Sequence, residues 1–260
     1  MKDYMKIYEE WLNNPYFDET TKEELRAIAG DENEIKERFY MDLEFGTAGL
    51  RGVIGAGINR MNIYVVRRAT QGLANYIIKQ GGADKGVAIA YDSRRMSPEF
   101  AMEAAMTLAA NGIKAYKFES LRPTPELSFA VRELGCIAGI NITASHNPRQ
   151  WNALKLLNAE GEFLTAADGA EVLAIAEAEA FDYADVDHLG HYTSDDSFDQ
   201  RHIDSVLALE LVDREAIRNA HFRVAVDTVN SVGGVILPRL LDALGVDYTM
   251  LNGEPTGDFA

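Results

Sequence analysis

The chain has 260 residues, of which 47% are hydrophobic and 9% aromatic, so it can bury a core and is not a disordered chain. Its 41 acidic and 25 basic residues give a formal net charge of -16, which argues against nucleic acid and anionic membranes as partners. The single cysteine, Cys136, excludes an intrachain disulfide and fits a reducing compartment. No apolar run reaches the roughly 20 residues of a membrane span, and the N-terminus has no signal-peptide core, so we expect a cytoplasmic protein.

The first 40 residues of the chain predict three short helices. Apolar residues at helical spacing indicate the first helix over residues 2–13. Thr20 or Thr21, each with glutamate three residues later, predicts a capping box for the second helix, and Asp31 predicts the start of the third. We interpret this region as a helical extension whose aromatic residues pack onto the main domain rather than bind a ligand.

A glycine-rich segment follows at residues 45–57, and it contains Arg51 in the sequence Gly-Leu-Arg-Gly. Glycine allows backbone conformations and close approaches that a Cβ atom would forbid. Backbone N–H groups and one arginine could bind a phosphate here, but a tight hairpin would require glycine equally. The segment is not a dinucleotide-binding fingerprint, because no clear strand precedes it and no helix begins at its last glycine.

The central part of the chain alternates between strand patterns and helical patterns. Strands are expected at residues 86–91, 113–118 and 136–142. The first intervening helix is expected to have Ser97 as its N-cap, and the second to begin at Thr124. Successive β-α-β units set their strands parallel in one sheet, with the carboxyl ends aligned. The predicted fold class is therefore α/β, with a mixed, mainly parallel sheet sandwiched by helices.

A polar loop at residues 145–148 follows the third of these strands. In open α/β sheets, ligands bind beyond the carboxyl ends of the strands. Pro148 cannot continue a central strand, so the loop must turn and display its side chains. Ser145 is therefore a candidate nucleophile, although Ser, His, Asn and Pro are also ordinary loop residues.

Two charged residues, Asp92 and Arg94, follow the first strand of the same series. The aligned strand ends should bring them to the edge of the sheet that carries Ser145. They could form a structural ion pair that braces the serine loop, or they could contact a substrate directly. The sequence leaves both alternatives open.

Lys155 lies ten residues after the candidate serine. Residues 153–157 alternate in polarity and are predicted to pair with residues 162–164 through a turn at 159–161. By pattern alone, this is a surface lysine in the first strand of a hairpin.

The chain is predicted to contain two domains. Domain 1 is expected over residues 1–185, and the start of a similar α/β domain over 186–260. Residues 181–196 are polar and are interpreted as a linker. His188 and His191 lie in this stretch, but their loose spacing favours solvated side chains over a metal site.

The sequence Thr-Ala-Ser-His-Asn-Pro at residues 143–148 resembles the active-serine signature of the α-D-phosphohexomutases, the phosphoglucomutase and phosphomannomutase superfamily. The Gly-Leu-Arg-Gly loop around Arg51 and the Asp-Ser-Arg triplet at residues 92–94 resemble further elements of this family. The resemblance implies reversible transfer of a phosphoryl group between the 1- and 6-positions of a hexose phosphate, through a phosphoserine.

Four catalytic residues are implied by this resemblance. Ser145 would carry the phosphoryl group, and Arg51 would face it. Lys155 would act as general base toward the sugar hydroxyl, and His146 would shuttle a proton or orient the serine. Ordinary serine hydrolysis is less consistent with the sequence, because no Gly-x-Ser-x-Gly elbow surrounds the serine.

The ligands implied by the resemblance are a phosphosugar substrate, Mg²⁺ and a hexose 1,6-bisphosphate activator. Asn147 and Arg94 are the expected substrate-binding residues, and the phosphate on Ser145 would bind the metal. The family's acidic metal loop, Asp-x-Asp-x-Asp-Arg, is not found in this sequence. An alternative is therefore a two-domain fragment that folds and accepts phosphate without turnover.

The chain also departs from the family pattern after the serine. The family has Asn-Gly-aromatic-Lys where residues 152–155 read Asn-Ala-Leu-Lys. Up to Pro148 the chain resembles the phosphoglucomutase/phosphopentomutase subgroup, and from Arg149 onward it resembles phosphoglucosamine mutase-type members. One hypothesis is that the chain joins two family members at the serine motif.

Overall fold

The computed structural model describes residues 3–46, 49–181 and 183–259. The helices are α1 (Tyr4–Asn13), α2 (Glu19–Ala27), α3 (Glu32–Phe39), α4 (Ile63–Lys79), α5 (Ser97–Ala110), α6 (Thr124–Glu133), α7 (Ala166–Ala178), α8 (Phe198–Leu207), α9 (Arg214–Asn219) and α10 (Gly233–Leu244). The strands are β1 (Phe45–Gly46), β2 (Gly49–Val53), β3 (Val87–Tyr91), β4 (Ala115–Phe118), β5 (Ala138–Ile142), β6 (Trp151–Leu157), β7 (Tyr192–Asp195), β8 (Arg223–Asp227) and β9 (Asp247–Leu251).

A seven-stranded sheet forms the centre of the molecule, in the order β1-β2-β6-β5-β3-β4-β7. Strands β5, β3, β4 and β7 run parallel to their neighbours in this series, whereas β1, β2 and β6 pair antiparallel. The β-α-β pattern of the sequence predicted the parallel part. The α/β fold class, with a mixed sheet between helices, is confirmed.

Apolar layers cover both faces of this sheet. On one face, Val87 and Ile89 of β3 pack with α4, α5 and α7. On the other face, Ala88 and Ala90 pack with α6 and with Phe198 of α8. Every residue of β3 is buried, as expected for a strand that is covered on both faces. This burial fixes the position of the strand end that carries Asp92.

Two predicted helix caps differ from the structure, by two or three residues in α2 and by one residue in α5. Helix α2 is capped by Asp18, whose side chain accepts a hydrogen bond from the Thr21 N–H, so the predicted Thr20 or Thr21 cap lies inside the helix. Helix α5 is preceded by Met96 in a left-handed conformation (φ 63°), and Ser97 is its first residue rather than its cap. The Ser97 hydroxyl instead donates to Asp92, 3.1 Å away. The predicted Asp31 cap of α3 is confirmed.

The stretch predicted as a linker, residues 181–196, contributes a strand to the sheet. Strand β7 pairs parallel with β4, from Ala115 opposite Tyr192 to Phe118 opposite Asp195. The linker prediction is therefore wrong for residues 192–195, and the domain boundary at residue 185 stays a prediction.

A second β-α-β unit follows, in which β8 and β9 pair in parallel and α10 connects them, as the sequence predicted. This second unit contacts the unit that contains the seven-stranded sheet. At the contact, the Ser93 hydroxyl donates to the Asn230 carbonyl at 3.2 Å. Within the described ranges, no helix is long and apolar enough to cross a membrane.

Gly72 of α4 lies where α4 and α7 touch. A Cβ atom at this position would lie 2.8 Å from the Val172 carbonyl oxygen and 2.8 Å from the Ala176 Cβ. We expect Gly72→Ala to lower the free energy of unfolding by about 1–3 kcal/mol, because the added methyl group overpacks the contact between α4 and α7. The better helix propensity of alanine offsets only part of this loss. Urea denaturation measures the change. Gly30→Ala is the control, because nothing lies within 4 Å of its Cβ position, and an equal loss there would contradict the packing argument.

Candidate active site

The serine loop leaves the carboxyl end of β5 and turns sharply at Ser145. This residue is exposed and has a left-handed backbone conformation, with φ 56°. The turn is closed by the Asn147 N–H, which donates to the Ala144 carbonyl at 3.1 Å. A left-handed conformation of a non-glycine residue costs about 1–3 kcal/mol, so contacts around the loop must hold it. The Ser145 side chain is thereby displayed to solvent at the strand end, as predicted.

Arg94 supplies most of those contacts. Its side chain is 1% exposed, and its guanidinium donates hydrogen bonds to four backbone carbonyls of the loop region. The acceptors are Ser145 at 2.6 Å, Asn147 at 2.8 Å, Pro148 at 3.1 Å and Trp151 at 3.2 Å. The buried guanidinium therefore holds the loop from inside and is not free to contact a substrate. These contacts favour the bracing alternative, and the substrate-binding role expected for Arg94 stays a prediction.

Asp92 connects this brace to the strands. Its carboxylate accepts hydrogen bonds from the Arg94 N–H at 3.0 Å and from the Thr143 hydroxyl at 2.5 Å. The Thr143 oxygen in turn accepts from the Ser145 N–H at 3.1 Å. Burial raises the pKa of Asp92, although hydrogen bonds from Thr143 and Arg94 act in the opposite direction. The serine is thus linked to β3 through two side chains, and the sequence alone did not identify Thr143 as one of them.

We expect Arg94→Lys to destabilise the protein by about 1–3 kcal/mol, because an ammonium group has three donors and leaves buried carbonyls unpaired. The free energy of unfolding in urea measures the effect. Arg95→Lys is a matched control, because this neighbouring side chain is 56% exposed and pairs with Asp258 at the surface. Equal losses in the two variants would contradict the assignment of the brace to Arg94.

Arg51 lies on β2, which forms an antiparallel hairpin with β1. Glycine is required at position 49, where φ is 124° and a Cβ atom would lie 2.0 Å from the Leu154 carbonyl oxygen of the neighbouring strand β6. The exposed Arg51 side chain donates to the Asn147 side-chain oxygen at 3.2 Å. The pairing of β1 with β2 agrees with the hairpin interpretation of this segment, and the Arg51 side chain also reaches the serine loop. Thr47 and Ala48 of this segment lie outside the described residues.

Lys155 occupies a central position in the sheet. It lies on β6 between β2 and β5, opposite Gly49 on one side and Asn141 on the other. The predicted pairing with residues 162–164 is present as a bridge between Leu157 and Phe163 and a hydrogen bond from the Leu164 N–H to the Leu156 carbonyl. Lys155 itself has a strand on each side, so its interpretation as a surface lysine is wrong. The sequence missed this because β2, its neighbour in space, is about a hundred residues earlier in the chain.

The position of Lys155 in the sheet lowers the pKa of its side chain. Burial lowers the pKa of its ammonium group, and the positive charge of Arg51 lowers it further, while Asp92 acts in the opposite direction. Arg51 lies opposite Ala153, which is two residues from Lys155 on the same strand, so both side chains point to one face of the sheet. The face beside the serine loop therefore presents the Arg51 guanidinium and a lysine ammonium whose pKa is lowered.

The remaining predicted residues lie in the loop itself. His146 is exposed directly after the serine, and Asn147 is partly buried and holds Arg51. The structure thus brings Ser145, Asn147 and Arg51 together at one strand end. Such a set can accept an anionic group at a hydroxyl and neutralise it with a planar cation.

No group of three His, Cys, Asp or Glu side chains within residues 3–46, 49–181 and 183–259 could hold a metal ion. The Asp92 carboxylate, which contacts Thr143 before the serine loop, is buried and already accepts hydrogen bonds. The described side chains therefore do not provide a magnesium site.

Known proteins with similar sequences share this region. Residues 42–183 match the family described as phosphoglucomutase/phosphomannomutase, alpha/beta/alpha domain I. A phosphoglucomutase of Staphylococcus epidermidis is 38% identical over 189 residues, which cover 73% of this chain and 31% of that protein. A phosphoglucomutase of Staphylococcus saprophyticus is 45% identical over 130 residues, which cover 50% of this chain and 23% of that protein.

Solved structures of the same kind have a similar fold. The structure described as a putative phosphomannomutase from Thermus thermophilus superposes with a TM-score of 0.72 and 26% identity, over 84% of this chain and 47% of that one. The matched region spans about a third or less of the curated phosphoglucomutases and just under half of this structure.

Proposed function

The chain belongs to the phosphoglucomutase/phosphomannomutase family, and we propose that its Ser145 carries the phosphoryl group in a reversible transfer between the 1- and 6-positions of a hexose phosphate. The observation that carries this proposal is the exposed serine hydroxyl, held in a left-handed turn by the buried Arg94 and flanked by Arg51. A phosphosugar is the proposed substrate. The proposed location is the cytoplasm.

Each proposed step moves one phosphoryl group, removes a proton from the attacking hydroxyl and gives a proton to the departing oxygen. The Ser145 hydroxyl gives its proton to His146 or to water, and its oxygen attacks a phosphorus atom of a hexose 1,6-bisphosphate. The bond between that phosphorus and the sugar oxygen breaks, and the departing oxygen takes a proton from the Lys155 ammonium. In the return step, neutral Lys155 removes the proton of a sugar hydroxyl, whose oxygen attacks the phosphorus of the phosphoserine. The bond between that phosphorus and the Ser145 oxygen then breaks, and the serine oxygen takes a proton back from His146 or from water. Transfer of this kind depends mainly on positioning and on charge stabilisation of the phosphoryl oxygens.

Three further residues are proposed to assist these steps. Arg51 would face the transferring phosphoryl oxygens, because a guanidinium can hold two of them at once and keeps its charge. His146 would take the serine proton or orient the hydroxyl. Asn147, which accepts a hydrogen bond from Arg51, would keep that guanidinium at the loop and contribute to substrate binding.

Mg²⁺ is proposed as a partner of the phosphate on Ser145, since this ion binds proteins through few carboxylates and substrate phosphates. The described residues supply no carboxylate set for it, so no step is assigned to the metal.

The test is incubation of the full chain with a hexose 1,6-bisphosphate and Mg²⁺, followed by intact mass and peptide mapping. A mass increase of one phosphoryl group at Ser145 supports the proposal, and conversion of glucose 1-phosphate to glucose 6-phosphate extends it to turnover. Phosphate on another residue, or none, would overturn the assignment of the serine.

A further inference from the structure

Residues 257–259 of the second unit lie against the loop that follows β3. Gly257 is in a left-handed conformation (φ 70°), and a Cβ atom there would lie 2.0 Å from the Ser93 carbonyl oxygen. Its N–H donates to the Asn230 carbonyl, which also accepts from the Ser93 hydroxyl. This contact requires glycine and brings the next two residues of the chain to the base of the serine loop.

The Phe259 ring lies against the Arg94 guanidinium. The guanidinium carbon lies 4.7 Å from the centroid of the Phe259 ring. The same guanidinium donates to the carbonyls of Ser145 and Asn147. The N–H donors of a guanidinium point outward in the plane of the group. An aromatic ring beside that plane therefore attracts the positive charge without competing for the loop carbonyls.

Asp258 holds the same segment in place from the other side. Its carboxylate pairs with Arg95 at 2.9 Å and approaches Arg149 at 3.7 Å. Arg95 is the neighbour of the bracing arginine, and Arg149 follows the serine loop. Exposed pairs of this kind contribute little stability individually, but here they bridge the second unit to both sides of the loop.

We propose that Phe259 is a positioning residue for Ser145, acting through the Arg94 guanidinium. The inference rests on the proposed function, because it assigns to the second unit the task of fixing the phosphoryl-accepting serine. The ring keeps water from the face of the guanidinium and limits its tilt, so the hydrogen bonds to the loop carbonyls keep their geometry. Phe259 is not expected to touch the substrate.

The test compares the wild-type chain with Phe259→Leu, which keeps apolar bulk but removes the ring, and with Phe259→Trp, which keeps a ring. Phe222→Leu is the matched control, because this phenylalanine belongs to the same unit and is 53% exposed. Two quantities are measured: hydrogen exchange of the loop amides of Asn147 and Trp151, and the rate of phosphorylation of Ser145 at varied hexose 1,6-bisphosphate.

We expect Phe259→Leu to speed exchange in the loop and to lower the saturating phosphorylation rate about fivefold, the loss that corresponds to one cation–π contact. The bisphosphate concentration at half-saturation should not change. Phe259→Trp should restore both quantities, and exchange in α4 should be the same in all variants.

Unchanged hydrogen exchange of the loop amides in Phe259→Leu would overturn the inference. It would also be overturned if the half-saturating bisphosphate concentration changed while the saturating rate did not. An equal effect of Phe222→Leu would overturn it as well. If the wild-type chain takes up no phosphate, the proposed function fails separately. The exchange measurement alone then decides whether Phe259 holds the loop.

Discussion

Ser145→Ala is expected to take up no phosphate from a hexose 1,6-bisphosphate, whereas the wild-type chain gains one phosphoryl group. The variant lacks the only atom to which the proposed mechanism attaches the group. Its stability should stay within about 0.5 kcal/mol of the wild type, because the hydroxyl is exposed and the loop is held through backbone carbonyls. Intact mass measures the first quantity, and urea denaturation the second.

Ser194→Ala is the matched control for this experiment. Ser194 is also an exposed serine, but it lies on β7 at the far edge of the sheet. It should gain phosphate at the wild-type rate. Phosphorylation of Ser145→Ala would show that another side chain accepts the group, and the proposed mechanism would then be wrong at its first step.

Lys155→Met is expected to lower the rate of transfer from phosphorylated Ser145 to a hexose monophosphate by about 10²–10⁴-fold, the contribution typical of a positioned base. Lys155→Arg should be nearly as slow, because a guanidinium keeps the charge but does not accept a proton at these pH values. The wild-type rate should rise with pH until it passes the lowered pKa of Lys155, since the base acts in its neutral form. Both variants should lose this rise.

Single-turnover assays of the isolated phosphoprotein measure these rates, with Lys79→Met as control. Lys79 is a 65% exposed lysine that pairs with Glu171 at the surface, away from the serine loop. A normal rate in Lys155→Met, or a rise with pH that persists in it, would show that another group removes the proton.

The lowered pKa of Lys155 also has a consequence for stability. Between the folded pKa and the higher unfolded pKa, the unfolded chain binds more protons than the folded chain. The free energy of unfolding should therefore rise with pH across this window and should rise less in Lys155→Met. Urea denaturation over a pH series measures the slope, and equal slopes in the two proteins would contradict the shift. Since Lys155 is only half-buried, the effect should be small.

The sequence predicted the elements whose signals are local. Apolar strands that alternate with helical patterns predicted the parallel core of the sheet, and the turn before Pro148 predicted the position of Ser145. Strand β7 was missed because its residues, Tyr-Thr-Ser-Asp, are polar and pair with β4 on one side only. Polar edge strands of this kind have the composition of a linker.

The site was predicted only in part, because only some of its residues have local sequence signals. Ser145 and Arg51 lie in short motifs that are recognisable by themselves. The role of Arg94 depended on whether its side chain points into the protein or toward a ligand, and only its four carbonyl partners decide this. The resemblance predicted Lys155 as a base, but its partial burial follows from the pairing of β6 with β2, which no local pattern reveals.

The Asp92 carboxylate joins parts of the chain that are far apart in sequence. Thr143 after β5 and Ser97 at the start of α5 both donate to it, and Ser97 also accepts a hydrogen bond from Asn152 of β6. An isolated peptide of residues 140–156 would contain the whole serine motif but not this junction. The left-handed turn at Ser145 should therefore form only once β3, β5 and β6 have assembled. This occurs late in folding, and the turn is not a preformed local structure.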